Sequence, residues 1–166
     1  QKTEEVATLF KLKSPKDTGI DFMNEVVESK EMNILTYRNF YNGGGVAVGD
    51  INNDGLPDLY FTANQKENKL FLNKGNFKFE DITNASKSGG TKAWSTGVSM
   101  TDVNADGWLD IYVCNSGDFD GALKENELFI NNQDGTFTEK AAAFNLNNAG
   151  YGTHAAFFDY DLDGDL

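Results

Sequence analysis

The chain has 166 residues, 39% of them hydrophobic, enough for a buried core, and a formal charge of −12 with a pI near 4.4. That charge argues against nucleic acid and anionic membrane surfaces as partners, and no apolar run approaches transmembrane length. Cys114 is the only cysteine, so no disulfide forms within the chain, and its setting among strand formers reads as a buried, inert thiol.

Residues 1–42 carry the weakest pattern. Val6 to Leu12 alternates and reads as one strand, with Ser14 to Gly19 as the turn after it. From Asp21 to Tyr37 the apolar residues Met23, Val26, Val27, Met32 and Leu35 fit a short helix or a loop over the core equally well.

The pattern sharpens from Gly43. Gly45 to Gly49 is a strand of small residues, Leu59 to Ala63 a second, Lys69 to Asn73 a third and Phe77 to Asp81 a fourth, the last two joined by a Lys-Gly-Asn turn. The four then recur. Gly97 to Thr101 and Ile111 to Cys114 are followed by Glu127 to Asn131 and Thr136 to Glu139.

Between the first and second strands of each set lies the same acidic stretch: Asp50-Ile51-Asn52-Asn53-Asp54-Gly55-Leu56-Pro57-Asp58, then Asp102-Val103-Asn104-Ala105-Asp106-Gly107-Trp108-Leu109-Asp110. A third copy, Asp159-Tyr160-Asp161-Leu162-Asp163-Gly164-Asp165-Leu166, ends one residue before its ninth position. Oxygen-bearing side chains at positions 1, 3, 5 and 9 would repel one another in a compact loop, and a hard divalent cation removes that repulsion. The expected ligands are Asp50, Asn52, Asp54 and Asp58 with the carbonyl of Leu56, and Asp102, Asn104, Asp106 and Asp110 with the carbonyl of Trp108. The third loop offers Asp159, Asp161 and Asp163 with the carbonyl of Asp165. Ca²⁺ suits all-oxygen sites of forgiving geometry; Mg²⁺ demands a small octahedron, and zinc lacks its His and Cys ligands here. An EF-hand is excluded, because position 12 is Phe61 or Val113 instead of Glu and the flanks are strands.

Four antiparallel strands recurring every fifty-odd residues predict an all-β chain, a β-propeller fragment of about two and a half four-stranded blades with Ca²⁺-binding loops. Residues 1–42 form an N-terminal segment, with Phe10 placed to serve as a closing outer strand. Residues 43–91 are the first blade, 92–148 the second and 149–166 the start of a third. An arc of this size leaves edges open, so the chain is expected to be a piece of a larger propeller.

The run Gly45-Val-Ala-Val-Gly-Asp-Ile-Asn-Asn-Asp-Gly-Leu-Pro-Asp-Leu-Tyr60 and its copies resemble the FG-GAP/VCBS repeat, the blade of integrin-α-type propellers. The Asn-Lys-Leu-Phe-Leu-Asn and Asn-Glu-Leu-Phe-Ile-Asn elements fit the same repeat. With Gly19-Ile20-Asp21-Phe22, the fuller resemblance is to bacterial VCBS-repeat proteins that carry ASPIC/UnbV-type domains and are related to cartilage acidic protein. That resemblance implies export, commonly as a surface lipoprotein beside outer-membrane nutrient-uptake systems, and no established catalysis.

His154, the only histidine, has no nucleophile or metal partner nearby in sequence and reads as a structural loop residue. Trp94, Trp108, Phe157 and Phe158 read as packing between blades. The expected function is a non-catalytic, calcium-binding scaffold of an exported or cell-surface protein that binds a protein or glycan, with no catalytic residue in this chain. The alternative is the propeller portion of an extracellular carbohydrate-active enzyme whose catalytic residues lie elsewhere.

Overall fold

The computed structural model describes residues 9–117, 121–164 and 166. Among the described residues the strands form two four-stranded antiparallel sheets. The first has the order β1 (Val46–Gly49), β2 (Asp58–Phe61), β3 (Lys69–Asn73) and β4 (Phe79–Asp81), and the second β5 (Ser95–Thr101), β6 (Asp110–Asn115), β7 (Glu127–Asn131) and β8 (Phe137–Glu139). Each sheet is a meander in which sequence neighbours pair, the plan of a propeller blade. Gly49 pairs with Asp58 and Thr101 with Asp110, so each acidic stretch is the hairpin connection between the innermost two strands.

The alternation of side chains along a strand sorts the core. Tyr60 and Leu70 of the first sheet pack against Val98, Ile111, Val113, Phe129 and Phe137 of the second, forming one cluster between the blades. On its other face the second sheet presents Tyr112, Cys114, Leu128 and Ile130 to Ala155 and Phe157 of the third repeat. Phe157 stacks edge-on against Tyr112 at 5.3 Å. Close approach of the inner strands depends on glycine. A Cβ on Gly45 would lie 2.8 Å from the carbonyl oxygen of Thr96, and one on Gly97 would collide with that of Thr153. Cys114 is buried, which pushes its thiol pKa up to about 11, so it is inert at neutral pH.

Several expectations need correction. Residues 9–12, the described part of the strand expected over Val6–Leu12, pair with neither sheet, and Leu9, Phe10 and Leu12 stand in solvent. Alternation alone does not hold a strand that has no ladder partner. The turn expected at Ser14–Gly19 is a single helical turn, α1 (Pro15–Thr18), because Pro15 pre-sets its first φ, Ser14 caps it and Gly19 ends it at φ 83°. The fourth strand begins at Phe79, since Asn76 and Phe77 both take left-handed φ in a longer turn. Trp94 packs not between blades but under the N-terminal segment, edge-on to Tyr37 at 5.5 Å and beside Phe40. Phe158 is exposed and Trp108 half-buried. Residues 21–29 are an irregular loop, tied down by Asn24 on Asn64 and Val27 on Gln65.

Candidate metal centre

The acidic loops share one backbone. Positions 4 and 6 take left-handed φ in all three: Asn53 (57°) and Gly55 (84°), Ala105 (57°) and Gly107 (85°), Leu162 (64°) and Gly164 (98°). Position 6 is glycine for that reason, whereas position 4 holds Ala or Leu in two loops at a conformational cost of about 1 kcal/mol or more. The carboxylate at position 1 enforces the turn. Asp50 accepts from the N–H groups of Asp54 (3.1 Å) and Gly55 (2.7 Å), and Asp102 accepts from Asp106 (3.0 Å) and Gly107 (2.8 Å). Asp159 likewise accepts from Leu162 and Gly164. Asp54 and Asp106 then accept from the N–H of Leu56 and Trp108, two residues on.

Position 3 joins the same cluster. The Asn52 amide donates to Asp54 at 3.0 Å and the Asn104 amide to Asp106 at 3.0 Å. In the third loop, Asp159, Asp161 and Asp163 offer carboxylate oxygens that all lie within 4.8 Å of one another. Among the described residues no other trio of acidic, His or Cys side chains converges so closely. The first two loops have Asn in place of the third-position Asp, and their expected acids, Asp50, Asp54 and Asp58 or Asp102, Asp106 and Asp110, do not converge in that way. Asp165, the source of the expected carbonyl ligand in the third loop, lies outside the described residues.

The ninth position ties the hairpin to the sheet. Asp58 is fully buried, with one oxygen accepting from the N–H of Ile51 (3.0 Å) and the other from that of Asn73 (2.7 Å). Asp110 does the same with Val103 (3.1 Å) and Asn131 (2.8 Å). A carboxylate oxygen has more than one lone pair, so each keeps capacity for a further partner. Burial is the main influence raising the pKa of Asp58 and Asp110. The acids at positions 1 and 5 add to it, and the two N–H donors oppose it. A divalent cation would act in the opposite sense on both. Asp106 is held below the usual carboxylate range: desolvation opposes this, but the Trp108 N–H and the Asn104 and Gln133 amides outweigh it.

All-oxygen, carboxylate-rich loops of this form have the donor chemistry to hold a hard divalent cation. The sequence points to the acids; it gives no direct sign of Asn73 and Asn131, which brace the ninth position from β3 and β7. Their signal was present in the repeated Leu-Phe-x-Asn ending of those strands. His154 is exposed and lines a cleft of about 470 Å³ with Thr153, Gly97 and Gly45, at the starts of the inner strands and away from the acidic loops at their ends.

Two overlapping stretches, residues 50–113 and 102–166, each match the FG-GAP-like repeat, and each match begins on the first Asp of an acidic loop. Over 74 residues the chain is 38% identical to cartilage acidic protein 1 of Xenopus tropicalis, a stretch covering 44% of this chain and 11% of that protein. With two blade-like sheets, three copies of one loop and repeat matches over well over half of its length, the chain belongs to the FG-GAP-like repeat family.

Proposed function

We propose that the chain is a non-catalytic propeller scaffold stiffened by Ca²⁺ in its acidic loops, within an exported or cell-surface protein that binds a protein or a glycan. The observation that carries this reading is one loop conformation recurring three times, with three carboxylates brought together in the third copy. Oxygens on opposite sides of a Ca²⁺ ion lie about 4.6–5.2 Å apart, twice the usual bond length. The oxygens of Asp159, Asp161 and Asp163, all within 4.8 Å of one another, are close enough to share one ion.

Asp50, Asn52 and Asp54 would hold an ion in the first loop, and Asp102, Asn104 and Asp106 in the second, with the carbonyls of Leu56 and Trp108. Asp58 and Asp110 would close each site while still gripping the backbone. A bound cation would relieve the repulsion among these acids. The chain's own residues then fix the hairpin, so that neighbouring loops present a constant surface. Asn in place of Asp at position 3 lowers the charge of the first two sites, which suits millimolar extracellular Ca²⁺ and supports export. No helix among the described residues is long and apolar enough to cross a membrane.

Calorimetric titration of the full chain with Ca²⁺ tests the reading. With a dissociation constant of roughly 0.1 mM, about 2 mM Ca²⁺ stabilises each independent site by about 1.8 kcal/mol. Asp54→Ala and Asp106→Ala should each remove one site. No heat of binding and no Ca²⁺-dependent rise in Tm would reject it.

A further inference from the structure

Two hydrogen bonds join the first acidic loop to the second blade, one from Asn131 to Ile51 and one from Asn53 to Gly107. Asn131, at the end of β7, donates its side-chain amide to the carbonyl of Ile51 in the first loop at 2.8 Å, and to Leu109 at 3.2 Å. Its backbone N–H donates to Asp110 at 2.8 Å, and its side-chain oxygen accepts from Gln133. The other face of the contact is equally committed, because the N–H of Ile51 donates to Asp58 at 3.0 Å.

Hydrogen bonds on the backbone of Ile51 and on the backbone and side chain of Asn131 therefore connect the Asp58 carboxylate to the Asp110 carboxylate. Asp58 and Asp110 are the ninth positions of the two loops. All four residues are buried, with Asn131 4% and Ile51 3% exposed and both carboxylates fully covered. At the surface, Asn53 of the first loop also donates to the carbonyl of Gly107 in the second, at 3.1 Å. The equivalent residue in the first blade, Asn73, turns its amide to Pro57 of its own blade. That bond is the counterpart of the one from Asn131 to Leu109, so the bond to Ile51 is what joins the two repeats.

We propose that Asn131 is a positioning residue for the first loop, and that through it the two loops take up their cations cooperatively. The inference rests on the cation reading proposed above. Ordering the second loop fixes Asp110, which fixes Asn131 and with it the Ile51 carbonyl. A cation entering the first loop then meets a backbone whose ordering cost has already been met. The coupling is reciprocal, as any linkage between two binding equilibria must be. Repulsion between two dications acts the other way, and it does not depend on Asn131.

Trp108 makes the test site-specific. It is the seventh residue of the second loop, where the first loop has Leu56, while Trp94 lies buried beneath Tyr37 and Phe40. Terbium(III), used as a Ca²⁺ surrogate, is titrated into the full chain and read by Trp-sensitised emission. Asp54→Ala, which disables the first loop, should weaken terbium binding at the second by about fivefold or more. In an Asn131→Asp background, which keeps the shape but removes the amide donor, the same Asp54→Ala change should matter less than about twofold. Asn131→Ser replaces Asn131→Asp in the cycle if the latter lacks a native near-UV circular dichroism spectrum. An equal effect of Asp54→Ala in both backgrounds, or no effect in either, would overturn the coupling while leaving the cation reading intact. No sensitised emission from the unmodified chain would overturn the cation reading and the coupling with it.

Discussion

The two blades share strand order, hairpin loops and outer turns, yet they are not equally buried. In the second blade, every residue of β6 and β7 is buried. In the first, β2 alternates between buried and half-buried residues, and Val46 and Val48 of β1 are exposed. The residues that face backward along the repeat make the contrast plain. Ile111 and Val113 of the second blade are fully buried against the first, whereas their counterparts Leu59 and Phe61 are only half-covered, with Phe22 lying 5.2 Å from Phe61. Within these 166 residues, the inward-facing side chains of the second blade are covered on both faces and those of the first on one.

Paired truncations should break this comparison if it is wrong. Ile111→Ala is expected to cost about 3 kcal/mol, within the usual range for deleting a fully buried aliphatic side chain. Leu59→Ala, the same change at the equivalent half-covered position, should cost about 1 kcal/mol. Urea unfolding of both variants measures the gap. Equal costs would mean that the inter-blade face contributes no more than the open one.

A charge contrast at one strand position sharpens the comparison further. The third strand of the first blade opens on Lys69, whose ammonium lies 2.5 Å from Glu67 and 3.3 Å from Asp81. The equivalent residue in the second blade is Glu127, buried, with one oxygen accepting from the N–H and hydroxyl of Thr91 and the other from the Asn115 amide. Burial raises the Glu127 pKa against these donors and the nearby Lys92. A raised carboxyl pKa favours the folded state at low pH. The stability it brings is complete below the ordinary value of 4.5 and is lost as pH climbs through the raised folded value. Glu127→Gln removes that titration, so the variant should gain on the unmodified chain as pH rises from about 4.5 towards neutrality. Denaturation midpoints at fixed Ca²⁺ across that range should diverge; parallel curves would show that burial does not govern this group.

What the sequence reveals follows from what repeats. Strand order and the acidic loops could be read because side-chain alternation, the position-6 glycines and the Asp spacing each occur twice or three times at matching offsets. The region before Gly43 could not, since its order comes from single long-range contacts such as Tyr37 with Ser116 and Asn24 with Asn64, which leave no periodic trace. Within the site, the acids were legible, while their supports left only the repeated Asn73 and Asn131 as a trace. The left-handed φ at Ala105 and Leu162 runs against residue preference, and the reach of Asn131 to Ile51 spans 80 residues. The role of Trp94 was misread for a related reason. A large aromatic beside an inner strand suits either an inter-blade slot or a lid, and only the fold of residues 26–40 selects the lid.

Diffraction from crystals of the full chain grown with Ca²⁺, with anomalous differences recorded, addresses the central claim most directly. The account predicts an ion bound within about 2.3–2.6 Å of oxygens from Asp50, Asn52 and Asp54, and another at Asp102, Asn104 and Asp106. The carbonyls of Leu56 and Trp108 should be among the ligands, and the Asp58 and Asp110 contacts to Ile51 and Asn131 should persist. Loops that keep the same hydrogen bonds with no ion among their carboxylates, at Ca²⁺ concentrations well above the millimolar range, would contradict it.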